Sequence, residues 1–496
     1  MSQSNPSSST ESSLPPHPSG PISMATTDPP ASSWRQYAAD FVKAPARAKV
    51  ALVGSLLMVA ISPSGFAALT PFAAPAYAMA TGTPPQDAIL LFVTLPLILG
   101  PLVLPFAGRW VDRYGAQRIA LPAVILYALA TLGIPLVAGT GWLVGLMLVL
   151  SSIFGFAASL GIVFKVISGW FPKHRGIGFG LIGVVSSLAS AVFSPLFQWL
   201  VNGNAPAAPA GGAPAGAAPP AGAVAPPAAD PGVFLGLGWD GVYYVLAIAI
   251  AVIGIPTVIW LISEPKIAPA PTLPKSVEAA LPGVPFKRAV STRAWIFIAL
   301  LLTLAATGPI AIRQNAVDLF GGVGIDSATV SLGLSVLFTT SVVGLLLGGT
   351  ILDRARHPWV VAILIATVPV GMALAILNTG STALLFVSMA LLGFATGAES
   401  ALGPALIARY FGLKSFAALQ GLTLAITGPA LALSPYLVSA IQASSGSYTV
   451  PLVVVTGLTI VAVVLAVLLP KYPAPWPMHP REFDGQAIAP EAKAAS

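Results

Sequence analysis

Twelve runs of about twenty or more residues, nearly free of charge, recur along the chain with short polar stretches between them. They cover 48–70, 88–107, 119–139, 142–168, 176–201, 241–263, 294–317, 327–351, 358–377, 382–408, 415–443 and 449–470. Each is long enough for a helix to cross the hydrocarbon core of a bilayer, which takes ~20 residues. A segment in lipid has no water for its N–H and C=O groups and must satisfy them internally, so each run predicts an α-helix. The predicted fold class is an all-α polytopic membrane protein with twelve transmembrane helices. Composition agrees. Hydrophobic residues make up 56% of the 496 and charged residues only 8%, against roughly 25% charged in soluble domains.

Charge then orients the runs. With the N-terminus cytoplasmic and the runs alternating, all but Lys165 and Arg313 of the 23 Lys and Arg fall in cytoplasmic loops and tails or, for Lys49, at the cytoplasmic start of the first run. That asymmetry is the positive-inside rule; a miscount of one run would scramble it. The net charge of +7 is therefore topological and does not point to nucleic acid. The expectation is a multi-pass protein of the cell membrane, both termini cytoplasmic, with lipids as neighbours and a monomer sufficient for function.

Low-complexity stretches mark the divisions. Residues 1–47 read as a disordered cytoplasmic tail, and the first thirty have neither the basic nor the apolar region of a signal peptide. An Ala/Pro-rich external loop, 202–240, contains "NAPAAPAGGAPAGAAPPAGAVAPPAADPG" and can form no core of its own. The basic segment 264–293 is a cytoplasmic linker between an N-terminal bundle, 48–263, and a C-terminal bundle, 294–470; residues 471–496 form a second cytoplasmic tail. The halves repeat. Gly108, Asp112 and Arg113 in "GRWVDRYGAQR" recur as Gly349, Asp353 and Arg354 in "GTILDRARH", at a constant offset of 241. Two six-helix halves of like topology are a transporter plan with its substrate site at their interface.

Chemistry is sparse. There are no cysteines and four histidines, all in tails or loops, so neither a metal cluster nor a nucleophilic relay can be assembled in the membrane. No metal, cofactor or enzymatic activity is expected. "GFGLIG" (178–183) matches a dinucleotide fingerprint, but it runs into twenty apolar residues instead of joining a strand to a helix. Its glycines read as helix-packing positions, with the pairs Gly176/Gly180, Gly344/Gly348 and Gly393/Gly397 at the spacing of small-residue contacts.

Past Lys49 at the start of the first run, three charged residues remain inside the runs, and such residues suggest function. Lys165 lies near the cytoplasmic end of its run, where its ammonium can snorkel to the surface. Glu399 is ten residues before Arg409, ~15 Å deep and close to the midplane; it is a candidate proton carrier or a structural hydrogen-bonding group. Arg313 is ~27 Å from Trp295 along the helix axis. It either snorkels outward or, with Gln314, Asn315 and Asp318, forms a polar stripe on a water-filled cavity. An arginine fork suits a carboxylate.

"GRWVDRYGAQR" resembles the Gly-x-x-x-Asp-Arg-x-Gly-x-(Arg/Lys)-(Arg/Lys) signature of the major facilitator superfamily, matching at Gly108, Asp112, Arg113, Gly115 and Arg118. The resemblance spans roughly 48–470. "GWFPKHRGIGFG", "GAESALGPALIARYFGLKSF" and "GSYTVPL" with "LLPKYP" are similar to the prokaryotic monocarboxylate-porter and oxalate/formate-antiporter branch; "GWDGVYYVL" departs from it, carrying Asp240 where relatives commonly have Arg. The resemblance implies two pseudo-symmetric six-helix bundles and secondary active transport by alternating access. The substrate implied is a small organic anion such as a monocarboxylate, moved with protons. Arg313, Gln314 and Asn315 would bind it and Glu399 would carry the proton. The loops at Gly108, Asp112, Arg113, Gly115, Arg118, Gly349, Asp353 and Arg354 would gate the cytoplasmic face, Asp112 accepting hydrogen bonds from a helix N-terminus. A proton-driven exporter of lipophilic or cationic compounds, with Glu399 holding the substrate, and a non-transporting sensor on the same fold are the alternatives.

Overall fold

Apolar length becomes twelve helical spans. The computed structural model describes residues 41, 43–171, 175–203, 236–263, 283–355, 357–412 and 414–473. The tails, the Ala/Pro-rich loop and most of the expected linker lie outside these residues, as do the side chains of Asp112 and Asp353. The chain divides into two compact units, Met1–Ala44 and Pro45–Ser496, and the second holds every span. In order these are span 1 (Ala46–Ala68), span 2 (Pro85–Val111), span 3 (Ala116–Leu136), span 4 (Gly141–Trp170), span 5 (Ile177–Asn202), span 6 (Gly238–Leu261), span 7 (Arg293–Gln314), span 8 (Ser327–Leu352), span 9 (Trp359–Ile376), span 10 (Thr382–Phe411), span 11 (Ala418–Ser445) and span 12 (Thr449–Val467). They form two six-helix bundles, spans 1–6 and spans 7–12.

Local chemistry sets several ends. Thr292, Asp326 and Ser381 accept hydrogen bonds from Trp295, Thr329 and Leu384 N–H, capping spans 7, 8 and 10, as short polar side chains do at a helix start. Gly115, φ +89°, turns the chain sharply between spans 2 and 3, a conformation disfavoured for residues with a Cβ. Proline shapes span 2. Pro96 and Pro101 cannot donate, and the backbone widens to a π turn at Leu90–Thr94 and tightens to a 3-10 turn at Gly100–Val103, the usual accommodation of a missing N–H. Span 1 breaks at Ser62–Ser64 around Pro63 and continues past its end as a helix, Thr70–Thr81.

Spans 8 and 10 meet backbone to backbone. A Cβ on Gly393 would sit 2.1 Å from the Leu337 carbonyl oxygen, one on Gly397 1.8 Å from that of Ser341, and one on Gly344 2.0 Å from that of Phe394. These glycines do what the small-residue spacing predicts. Gly180 does not: a Cβ there meets nothing within 4 Å, whereas Gly178 packs on Ile167 and Gly183 on Leu345. Gly108 likewise faces open space.

The two bundles are joined by span 5 on span 8, by span 11 on the Pro85–Leu99 part of span 2, and by the Thr70–Thr81 helix on span 7. Call the side carrying the 2–3 and 8–9 connections the basic face. Among the described residues, every hydrogen bond between the bundles lies at mid-depth or toward the opposite face. Thr70 donates to Gln314 (2.6 Å) and Thr94 to the Ala432 carbonyl (2.9 Å). Along the span 5–span 8 seam, Gln198 donates to Ser327 Oγ, Ser194 to the Ser331 carbonyl, Ser335 to the Ala191 carbonyl and Ser341 to Ser187. Among the described residues, these bonds tie the bundles together away from the basic face.

Candidate functional site

The broken middle of span 1 faces a cavity of about 310 Å³ between the bundles. Irregular backbone at membrane depth is tolerated where it lines such a cavity. Ser64, Thr70, Ser152, Ser186, Ser187 and Ser190 contribute hydroxyls from the N-terminal bundle, with Phe92 and Phe156. The C-terminal bundle contributes Arg313, Gln314, Phe338, Ser341 and Thr396. Among the described residues of this lining, Arg313 is the one that is charged.

Its guanidinium is held loosely. The Nε is buried and has no hydrogen-bond partner, and its contact is with the Phe338 ring, 5.8 Å from the centroid. It does not snorkel outward but lies over an aromatic face at the cavity wall. On span 7, Ala305, Pro309 and Ile310 precede it within two turns and share its lining of apolar space in the C-terminal bundle.

Glu399 does not line this cavity. It faces a second, smaller chamber of about 60 Å³ inside the C-terminal bundle, lined from spans 7, 8, 9, 10 and 11. Arg313, Leu337 and Thr396 line both spaces. Arg313 and Glu399 therefore share one chamber, yet no ion pair joins them, and the Glu399 carboxyl makes no hydrogen bond among the described residues.

The other expected site residues go elsewhere. Gln314 lines the main cavity and is fixed by Thr70 of the opposite bundle. Asn315 is turned away, its Nδ2 donating to the Ala311 and Pro435 carbonyls (2.9 and 3.4 Å). Of the gating loops, Arg113 lies over the Tyr114 ring at 5.4 Å, and Arg118 and Arg354 are exposed. Lys165 donates to the Val111 carbonyl at 2.7 Å, capping span 2 just before the first of these loops. The repeat has a counterpart: Arg409 donates to the Leu352 and Ala355 carbonyls, at 3.0 and 2.7 Å, and stacks on Tyr472 at 3.7 Å. Val111 and Leu352 are 241 residues apart, so each bundle caps the same helix end with a cation, as the helix dipole favours.

At the opposite face, just beyond span 7, burial pushes the Asp318 carboxyl up to about 6. Burial, and after it the Asp318 charge, push the Tyr448 hydroxyl above the usual phenol range.

The hydroxyls were not anticipated from sequence, though span 5 carries a signal. Ser186, Ser187, Ser190 and Ser194 recur at three- and four-residue spacing, which is one helix face.

Twelve spans in two bundles with a polar cavity between them define a membrane transporter. The family model of the Major Facilitator Superfamily matches residues 55–315 and 314–494, and the chain belongs to that superfamily. Among solved structures it is similar to a bacterial homologue of the human lysosomal transporter Spinster, in an inward-facing and unoccupied conformation. There the TM-score is 0.65 at 14% identity, covering 86% of this chain and 97% of that one. It is also similar to the nucleoside transporter NupG, with a TM-score of 0.61 at 15% identity, covering 86% and 100%. No curated protein matches the sequence.

Proposed function

We propose that the protein is a secondary active transporter of a small organic anion, a monocarboxylate, driven by protons, and that its basic face is cytoplasmic. The observation that carries this reading is Arg313: an unpaired cation on the wall of a hydroxyl-rich cavity between the bundles. A guanidinium with free N–H groups in a low-dielectric site recruits an anion that can take two parallel hydrogen bonds. Gln314 and the serine hydroxyls supply further donors for a carboxylate or its substituents. Glu399 is the group that takes up the proton. When it is ionised it draws Arg313 toward the small chamber, and when protonated it releases Arg313 to the substrate.

Asp112, Arg113, Arg118, Asp353 and Arg354, at the 2–3 and 8–9 connections, gate the cytoplasmic face. The bonds described between the bundles lie away from that face, which supports reading the conformation as inward-open. Asn315 holds span 7 against span 11 and takes no part in binding.

The test is uptake into proteoliposomes of labelled monocarboxylates, dicarboxylates, an organic cation and a nucleoside, with an inward proton gradient imposed and then collapsed. Accumulation of a monocarboxylate only while the gradient stands, abolished by Glu399→Gln, is the expected result. Uptake of the cation or nucleoside instead would replace this reading.

A further inference from the structure

We infer, resting on the reading above, that proton and anion occupy separate chambers and that Thr396, with Arg313, is the wall through which one is coupled to the other. The size of the Glu399 chamber is the first argument. At about 60 Å³ it holds about two water molecules of ~30 Å³ each and lies far below the ~300–1,000 Å³ of pockets that take small-molecule ligands. An organic anion in the main cavity therefore does not touch Glu399.

The lining is the second. Among the residues facing the Glu399 chamber from all five spans, Arg313 is the only other ionisable one, so no third group shares the proton. The residues common to both spaces are Arg313, Leu337 and Thr396, and Leu337 is apolar.

Thr396 lies one turn before Glu399 on the same face of span 10. Its hydroxyl donates to the Leu392 carbonyl at 2.8 Å, which leaves its oxygen lone pairs as the acceptor in the wall. Arg313, tied by no hydrogen bond, can bond across that oxygen from either side. Protonation adds one proton from water to a Glu399 oxygen, and deprotonation returns it to water; no other bond changes. Thr396 is thus a positioning residue: it guides the Arg313 guanidinium between two stations.

The experiment compares two fluxes in the full chain. One is accumulation of labelled acetate, lactate and pyruvate under an imposed proton gradient; the other is their counterflow exchange at equal pH. Thr396→Val is expected to lower accumulation about tenfold more than counterflow, the worth of roughly one hydrogen bond, and Thr396→Ser is expected to restore the ratio. The chain has no cysteine, so single cysteines report each chamber without background. Ser187→Cys is expected to react readily with a bulky methanethiosulfonate and to be protected by the transported anion. Glu399→Cys is expected to react slowly whether the anion is present or not.

Equal loss of accumulation and counterflow in Thr396→Val would overturn the inference, placing Thr396 in the anion site alone. So would rapid, anion-protected labelling of Glu399→Cys, which makes the two chambers one. If the unaltered protein exchanges none of the carboxylates, the reading beneath falls first and this inference with it.

Discussion

Replacing Arg313 with methionine separates what the residue does for transport from what it does to the fold. The Nε is buried and makes no hydrogen bond. A buried donor left unmade costs about 1–3 kcal/mol, and more when the group is charged. Solvation of the terminal nitrogens from the cavity offsets part of the charge, so the lower range applies. Methionine keeps the length of the stem and adds a sulfur contact with the Phe338 ring, a favourable pairing. Arg313→Met is therefore expected to stabilise the unliganded protein by about 1–3 kcal/mol, a rise of roughly 2–12 °C in Tm for a bundle of this size.

Binding moves the other way. A charge-assisted hydrogen-bonded pair is worth about 1.5–3 kcal/mol, so carboxylate affinity falls roughly 10- to 150-fold. The assay is thermal unfolding in detergent across a carboxylate titration, where ligand stabilisation grows as RT ln(1 + [L]/Kd). The variant should start higher and shift little. A Tm several degrees below that of the unaltered protein would refute the argument, since it would make Arg313 a structural cation.

Three further outcomes are expected. Gly397→Ala, whose new Cβ lies 1.8 Å from the Ser341 oxygen, should destabilise by about 1–3 kcal/mol or more through overpacking, while Gly180→Ala, facing open space, should leave Tm unchanged. Because burial raises Asp318 from 3.8 to about 6, the folded state binds more protons than the unfolded state between these values. Stability should then fall as pH rises from about 4 to about 6, and Asp318→Asn should flatten that slope in a pH series of unfolding curves. Arg409→Gln removes a cation from two helix-end carbonyls and from the Tyr472 face. It is expected to lower stability by about 2–4 kcal/mol, measured by the same unfolding assay.

The twelve spans were legible because length and apolarity in a bilayer leave the backbone one solution. The largest error at an end is in span 2, expected at 88–107 and found at Pro85–Val111. There three prolines interrupt the hydrophobic pattern without ending the helix. The continuation Thr70–Thr81 went unread for a like reason: Pro71 and Pro75 argue against helix, but the first occupies the opening turn, where no N–H is needed.

The candidate site was legible only in part. Charge in a hydrophobic run is conspicuous, so Arg313 and Glu399 stood out. Arg313, Gln314 and Asn315 were read as one stripe, yet consecutive helical residues are ~100° apart and cannot all face one cavity. Gln314 lines it and Asn315 does not. The serines of span 5 stayed hidden because a hydroxyl barely alters hydropathy. Whether it faces lipid, a neighbour or a cavity is settled by packing.

The seam between spans 5 and 8 has an energetic property that matters for motion. Ser335 donates to the Ala191 carbonyl across the joint at 2.7 Å and also to Ser331 in its own helix at 3.1 Å; Ser341 likewise has the Phe338 carbonyl at 2.7 Å besides Ser187 at 3.1 Å. When the bundles part, these two protons stay bonded within their own helix. At these positions the joint is specific while closed and carries little unmade-bond penalty while open, whereas Ser194 and Gln198, bonded across the seam alone, must find new partners. The seam is a bearing whose surfaces re-seat themselves at Ser335 and Ser341, and at Ser187 and Ser341 it borders the cavity on which the two halves rock.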